Sequence, residues 1–332
     1  MRTIVQSLQI VLMMSLVAVV GCGKGSSDST TPGAAPGGAS AKKMVIGFAQ
    51  IGAESDWRAA NTDSFKSEAA ARGIDLRFSD AQQKQENQIA ALRAFAAQKV
   101  DLITFSPVIE TGWAPVLKEI KDAGIPVIME DRRADVPDDL YASFIGSDFV
   151  LEGHRVGDWL VKHTNGKATI AVLEGTTGSA PANDRKKGFL DAISGSPDMK
   201  VIWSQSGDFK RATGKEAFDA FLKTPDAKNV TVLFAHNDDM ALGAIQAIEE
   251  AGIKPGKDIT IVSIDGVKAA LQAILDGKLN CSVECTPLLA PKVYDTAALV
   301  LAGKPVDKRI VVEESLFDQS NVTADVVAGR KY

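Results

Sequence analysis

Apolar and polar positions in this chain switch between two periods. From Val230 to Phe234 the residues form a short apolar, β-rich run of the kind that suits a sheet covered on both faces. From Met240 onward, Met240, Ile245 and Ile248 recur at helical spacing, and Gly252 supplies a C-terminal stop. Between the two segments stand Asn237, Asp238 and Asp239, short polar residues suited to a strand-to-helix turn and an N-cap. The same switch recurs along the chain. Strand-like runs are Met44–Ala49, Asp75–Ser79, Asp101–Ser106, Pro126–Glu130 and Ala142–Ile145. A second series is Thr169–Leu173, Val201–Ser204, Val230–Phe234, Ile259–Ser263 and Asn280–Glu284. Helical patterns separate most of them, among them Glu86–Gln98, Thr111–Ala123, Leu151–His163, Asp184–Ala192 and Gly214–Leu222. This alternation predicts an α/β fold of parallel sheets with helices on both faces. Ten strands in two series of five predict two flavodoxin-like, Rossmann-like lobes.

Polar residues gather where these strands end, which is where open α/β sheets bind ligands. After the first strand come Glu54, Ser55, Asp56, Trp57 and Arg58, and after the fourth Asp131 and Arg132. The sixth leads through GTTGSAPAND to Arg185, and the seventh to Ser206-Gly207-Asp208-Phe209. The eighth gives Asn237 and the ninth Asp265-Gly266. Six such sites from both halves point to one cleft between lobes. Asp accepts through two oxygens, Arg donates through a rigid fork and Asn does both, so together they bracket neighbouring hydroxyls. Trp57 and Phe209 offer flat faces for sugar C–H groups. The plainer alternatives are a lid over the core for Trp57 and a staple under the next helix for Phe209. For Asp131-Arg132 the alternative is a surface ion pair, and for Asn237 a turn residue alone.

A length of 332 residues suits two domains, and a net charge of -5 without a large basic block argues against nucleic acid. HExxH, GxxxxGK[ST] and GxSxG are all missing, so no enzyme, metal or cofactor is expected. Three cysteines give no disulfide framework. Cys281 and Cys285, four apart on one strand, lie about 13 Å apart and are expected as free buried thiols. Residues 1–21 read as an export signal: Arg2, then an apolar run ending in Val19-Val20-Gly21-Cys22. That ending resembles a bacterial lipobox, which implies cleavage before Cys22 and lipid on it. Residues 22–43, rich in Gly, Ser, Ala and Pro, read as a flexible tether.

Longer motifs narrow the reading. GFAQIGAESDWRAAN, DAQQKQENQI, SPVIETGW, EDRR, DRKKGF, SQSGDF, AHNDDMALGAIQAI and SIDGV resemble the ribose-type periplasmic sugar-binding proteins of ABC transporters. Within that family the likeness is nearest to the galactofuranose-binding branch, and it runs from Met44 to the C-terminus. It implies the type I periplasmic binding protein fold, two α/β lobes joined by three crossings that close on a monosaccharide. The lobes would be residues 44–146 with about 286–310, and 147–285 with about 311–332. Position by position, the resemblance puts ligand contacts on Trp57, Arg58, Asp131, Arg132, Arg185, Phe209, Asn237 and Asp265. Glu54 and Ser55 are secondary members, since Asp56 stands where the nearest relatives tend to carry glycine. Arg133 replaces a small polar residue and raises a question about the ligand. Cys285 lies near a crossing, where a packed structural thiol is the preferred reading.

The resemblance further implies a lipid-anchored monomer outside the cytoplasm, delivering galactofuranose to a membrane permease and ATPase complex. One alternative is a different sugar: galactopyranose, ribose or another pentose. Another is a sensor that signals to a chemoreceptor or sensor kinase. Repressors that share the fold carry an N-terminal helix-turn-helix where this chain has an export signal and linker.

Overall fold

In the computed structural model, which describes Lys43–Tyr332 as one compact unit, every apolar run of the alternating pattern is a strand. The export signal, Cys22 and the tether up to residue 42 lie outside the described residues. The first half reads β1 (Val45–Gln50), α1 (Asp56–Arg72), β2 (Asp75–Asp80), α2 (Gln85–Ala97), β3 (Leu102–Phe105), α3 (Ala114–Asp122), β4 (Val127–Glu130) and β5 (Ser143–Gly146). Next come α4 (Phe149–His163), β6 (Lys167–Glu174), α5 (Ala180–Ile193), β7 (Asp198–Ser206) and α6 (Arg211–Leu222). Then follow β8 (Val232–Ala235), α7 (Asp238–Glu250), β9 (Thr260–Asp265), α8 (Lys268–Leu275) and β10 (Cys281–Glu284). The tail adds α9 (Ala290–Leu301), β11 (Arg309–Val311), β12 (Leu316–Asp318) and α10 (Ala324–Gly329).

Two six-stranded sheets result, ordered β11-β5-β4-β3-β1-β2 and β12-β10-β9-β8-β6-β7. Each sheet thus has one strand more than the five read from the pattern, because β11 pairs parallel with β5 and β12 antiparallel with β10. Three residues are too few to display a period of two. The central strands β3, β4, β5 and β8 are buried throughout, which explains their unbroken apolar runs. The chain passes between the sheets three times: from β5 to α4, from β10 to α9 and from β11 to β12. After the second passage, Leu289, Val293, Tyr294 and Ala297 pack with Ile46 and Phe48 of β1 and Phe65 of α1.

Helix starts follow local chemistry. Asn237 caps α7, its side chain accepting from Met240 N, and Gly252 takes φ +74° just past the end. The helix expected from Thr111 begins instead at Ala114, because Gly112 sits at φ +90°. The one expected from Asp184 begins earlier, at Ala180, with Pro181 in its first turn. Helices α4 and α5 meet backbone to backbone. A Cβ on Gly153 would fall 2.2 Å from the Arg185 carbonyl oxygen, and one on Gly188 would fall 2.0 Å from that of Val150. Cys281 and Cys285 are both free and buried.

Candidate functional site

In each sheet the strand order reverses beside the first strand of its series, β1 or β6, and ligand sites in this architecture open at such points. On the first sheet, Ser55 caps α1 by accepting from Arg58 N, which turns Trp57 and Arg58 inward from the first helical turn. Arg58 is buried, donating from Nε to Glu54 Oε1 at 3.0 Å and from Nη2 to Asp131 Oδ2 at 2.6 Å. Ser106 Oγ donates to the same Asp131 oxygen at 3.1 Å. Arg132 donates from Nη1 to the Val108 carbonyl at 3.0 Å and lies 3.6 Å from Glu54. The buried partner of Asp131 is therefore Arg58, with Arg132 at 3.9 Å, and the surface ion pair is ruled out.

On the second sheet, Arg185 donates from Nε to Glu152 Oε2 at 2.7 Å and from Nη1 to the His236 carbonyl at 2.7 Å. Its Nη2 lies 3.6 Å from Asp265. Asn237 Nδ2 donates to the Phe209 carbonyl at 3.1 Å. The Phe209 ring fills the space over Gly175, where a Cβ would fall 1.9 Å from its Cζ, and the Arg132 guanidinium stands 5.1 Å from its centroid. Trp57 Nε1 reaches across to the Cys285 carbonyl at 2.6 Å.

All ten residues nominated from the sequence line one cavity. Glu54, Ser55, Trp57, Arg58, Asp131 and Arg132 come from the first sheet's side, and Arg185, Phe209, Asn237 and Asp265 from the second's. Its open volume is only about 20 Å³, so the two walls nearly meet. Pro181 and Cys285 complete the lining. Pro181 carries no polar signal, and Cys285, read as a packed thiol, is both packed and at the cavity wall.

Three residues of the lining hold uncommon backbone: Asp131 at φ +58°, Phe209 at +61° and Asp265 at +132°. Such conformations cost on the order of 1–3 kcal/mol each and gather where a side chain must be aimed. Glu54 Oε2, Arg58 Nη1 and Arg132 Nε are buried without a partner. Each unmet group of this kind costs roughly 1–3 kcal/mol, a deficit that a polar ligand offsets. Three guanidiniums and three acidic side chains line the cavity, a dense set of donors and acceptors suited to a many-hydroxylated molecule.

Burial, then the Arg58 charge, pull the Arg132 guanidinium down to about 10, so it remains a cation near neutrality. Burial also opposes the charge of Arg58, but Asp131 and Glu54 outweigh it and hold Arg58 above its ordinary value. Burial lifts Asp265 well above the carboxylate range against the pull of Arg185. Beneath the lining, burial and Asp131 push Glu130 up to about 8. No pattern in the sequence set that carboxyl apart from the apolar strand it ends.

Two charged clasps join residues of the two halves. Arg133 bonds Asp184 and lies 2.7 Å from Glu110, whose Oε2 accepts from Asn183 at 2.6 Å. Opposite, Arg211 Nη2 donates to Asp56 at 2.6 Å and to Asp239 at 2.7 Å, while Asp56 N donates to Asp239 at 2.8 Å. Arg133 is therefore a clasp between the halves and is not among the residues that line the cavity.

Known proteins resemble this chain in sequence and fold. A family model described as a periplasmic binding protein domain matches residues 46–305. Galactofuranose-binding protein YtfQ from Escherichia coli (strain K12) is 54% identical over 258 residues, 77% of this chain and 81% of that one. A solved structure from Mycobacterium smegmatis, in complex with beta-D-fucofuranose, is 51% identical with a TM-score of 0.82, covering 84% of this chain and 92% of that one. The periplasmic binding protein component of the arabinose ABC transporter from Shewanella sp. ANA-3, bound to alpha and beta-L-arabinofuranose, is 47% identical. Its TM-score is 0.84, with 86% of this chain and 95% of that one covered. By sequence and by fold, this chain belongs to the periplasmic binding protein domain family.

Proposed function

We propose that this protein is the substrate-binding component of an ABC sugar importer and closes on one free monosaccharide in its furanose form, galactofuranose first among candidates. The observation that carries the reading is the cavity between the two sheets, lined by three guanidiniums and three acidic side chains, with buried donors and acceptors left unmet. The ring form is supported by the furanoses named with two similar structures and by the galactofuranose of the curated relative. Trp57, Arg58, Asp131 and Arg132 grip the sugar from one side, and Arg185, Phe209, Asn237 and Asp265 from the other, with Glu54 and Ser55 at the rim. A lipid on Cys22 would anchor the monomer outside the cytoplasm and keep it near its permease and ATPase partners. Binding without turnover is part of the same reading, supported by the sugar-binding relatives. The oxygen of Asp131 that accepts from Arg58 also accepts from Ser106, an arrangement that holds the carboxyl as a hydrogen-bonding group, and unmodified sugar should be recovered after long incubation.

Titration calorimetry with galactose, arabinose, ribose and glucose, on protein freed of carried-over sugar, tests the reading. Galactose should bind tightly with its equivalence point at a large excess of total sugar, since only the minor furanose fraction is taken. One-to-one equivalence with ribose or glucose would move the substrate, and silence across the panel would sink the proposal. In the same titration, Arg133→Ala should weaken binding roughly three- to fivefold, because half-exposed ion pairs contribute about 1 kcal/mol or less. An unchanged affinity would remove the clasp from the account of closure.

A further inference from the structure

One oxygen of Glu152 holds Arg185, and the other, Oε1, is buried without a partner. Glu152 is 1% exposed. Beside it lie Cys285 Sγ and a carboxylate oxygen of Glu314, the three ligating atoms all within 4.8 Å of one another. Ser147 Oγ donates to Glu314 Oε1 at 2.5 Å and lies 3.4 Å from Cys285 Sγ, and Thr286 N donates to the same Glu314 oxygen at 3.0 Å. Ser147 is in the first passage between the sheets, Cys285 and Thr286 in the second, and Glu314 in the third. All three passages thus meet at one carboxyl group.

Two carboxylates this close, one buried and the other half-buried, do not readily both stay ionised. Arg185 from α5 is the cation facing Glu152, and it divides its charge with Asp265 at the end of β9. Arg155 of α4 spends Nη1 on the Glu314 main-chain oxygen at 2.8 Å, and Arg309 of β11 spends Nη2 on that of Ser147 at 2.6 Å. Asp148 and Glu313 line the same opening and add negative charge. The thiol proton of Cys285 reaches the carboxylates without neutralising either. A proton on Glu314 removes one charge and also supplies the missing donor for Glu152 Oε1.

We propose that Glu152 and Glu314 share one proton in the closed protein, and that this pair is a positioning unit which ties the three passages together and holds Arg185 in the cavity, so that closure on the ligand takes up a proton. The last step rests on the sugar-binding reading, while the shared proton does not. Burial, then the charge of Glu152, push Glu314 up to about 9, and burial raises Glu152 as well. A neighbouring cavity of about 360 Å³ gives water a route to the pair. When the passages part and water enters, Glu314 returns toward the ordinary carboxyl value. The closed form is then the tighter proton binder. Closure is favoured fully below that ordinary value and loses ground as pH rises toward about 9, by up to about tenfold in affinity per pH unit.

Infrared difference spectra of the full chain saturated with galactose, near neutral pH, test the proton directly. Wild type minus Glu314→Gln should show a carboxylic-acid carbonyl band that the variant lacks, and Glu152→Gln should lose it too. The amide introduced by Glu314→Gln can donate to Glu152 and accept from Ser147 and Thr286, so this variant reproduces the protonated state. Cys285→Ala should keep the band. Loss of the band there, its absence from wild type, or a stoichiometric divalent metal by elemental analysis would each overturn the proposal. Galactose calorimetry in buffers of differing ionisation enthalpy should read uptake approaching one proton, and wild-type affinity should fall at least about tenfold from pH ~6 to ~8. The Glu314→Gln affinity should vary over that range by about tenfold less than wild type, the remainder belonging to Glu130 and Asp265. A pH-independent wild-type affinity would remove the coupling. A band present in a protein whose calorimetry detects no sugar would overturn only the sugar-binding reading and leave the shared proton standing.

Discussion

Replacing Arg185 with alanine should lower ligand affinity at least a hundredfold and destabilise the fold at the same time. The guanidinium is buried and engaged with Glu152, the His236 carbonyl and Asp265, so its removal strands two carboxyl groups and one main-chain oxygen. Breaking a buried charge pair from one side costs about 3–5 kcal/mol, and every 1.4 kcal/mol is about tenfold in affinity. Part of that cost falls on the folded state, so melting should be recorded alongside calorimetry. Arg185→Lys keeps a charge but loses the fork, since one ammonium cannot reproduce the planar pair of contacts. It should therefore recover stability better than affinity. Affinity within about tenfold of wild type for the alanine variant would take Arg185 out of the site.

The second large effect is expected at a residue without a side chain. Gly188→Ala should lower the melting temperature by roughly 6–12 °C, the equivalent of about 3 kcal/mol in a domain of this size. Its Cβ would fall 2.0 Å from the Val150 carbonyl oxygen and 2.9 Å from His154 N. Neither is the end of a flexible chain, so α4 and α5 must separate, at a cost typical of overpacking or above it. The same helices carry Glu152 and Arg185, so ligand affinity should fall as well. Gly195→Ala is the control, because a Cβ there meets nothing within 4 Å. Melting of Gly188→Ala within about 2 °C of that control would show that the helices are not in backbone contact.

Much of this architecture was legible from period alone. Runs such as Val232–Ala235 are apolar throughout because both faces are covered, and the helices after them carry their own starts in Asn237 or Ser55. The polar residues after the strands were legible as one set because a parallel sheet brings all its carboxyl ends to one edge. What stayed hidden depends on distant pairing. Ile310 is strand only because β5 lies beside it, and Phe317 only because β10 does. Glu130, Glu152 and Glu314 were hidden for a related reason. A lone acid in a strand, a helix or a loop looks like surface until the fold shows that it is in or beside the core. Arg133 gave a signal that was read toward the ligand, since residue type alone does not say which way a side chain turns after a sheet edge.

The late arrival of the last two strands bears on how the molecule is made. The free edge of β5 stays open until Arg309–Val311 emerges, and that of β10 until Leu316–Asp318 does. At ordinary synthesis rates the first wait lasts roughly ten to thirty seconds. For that time the nascent first half displays an unpaired parallel edge, which invites joining by another chain. Neither half completes its hydrogen bonding until almost the whole polypeptide exists, so the two sheets mature together, and a chain stopped short of its tail leaves two sticky rims instead of one finished half.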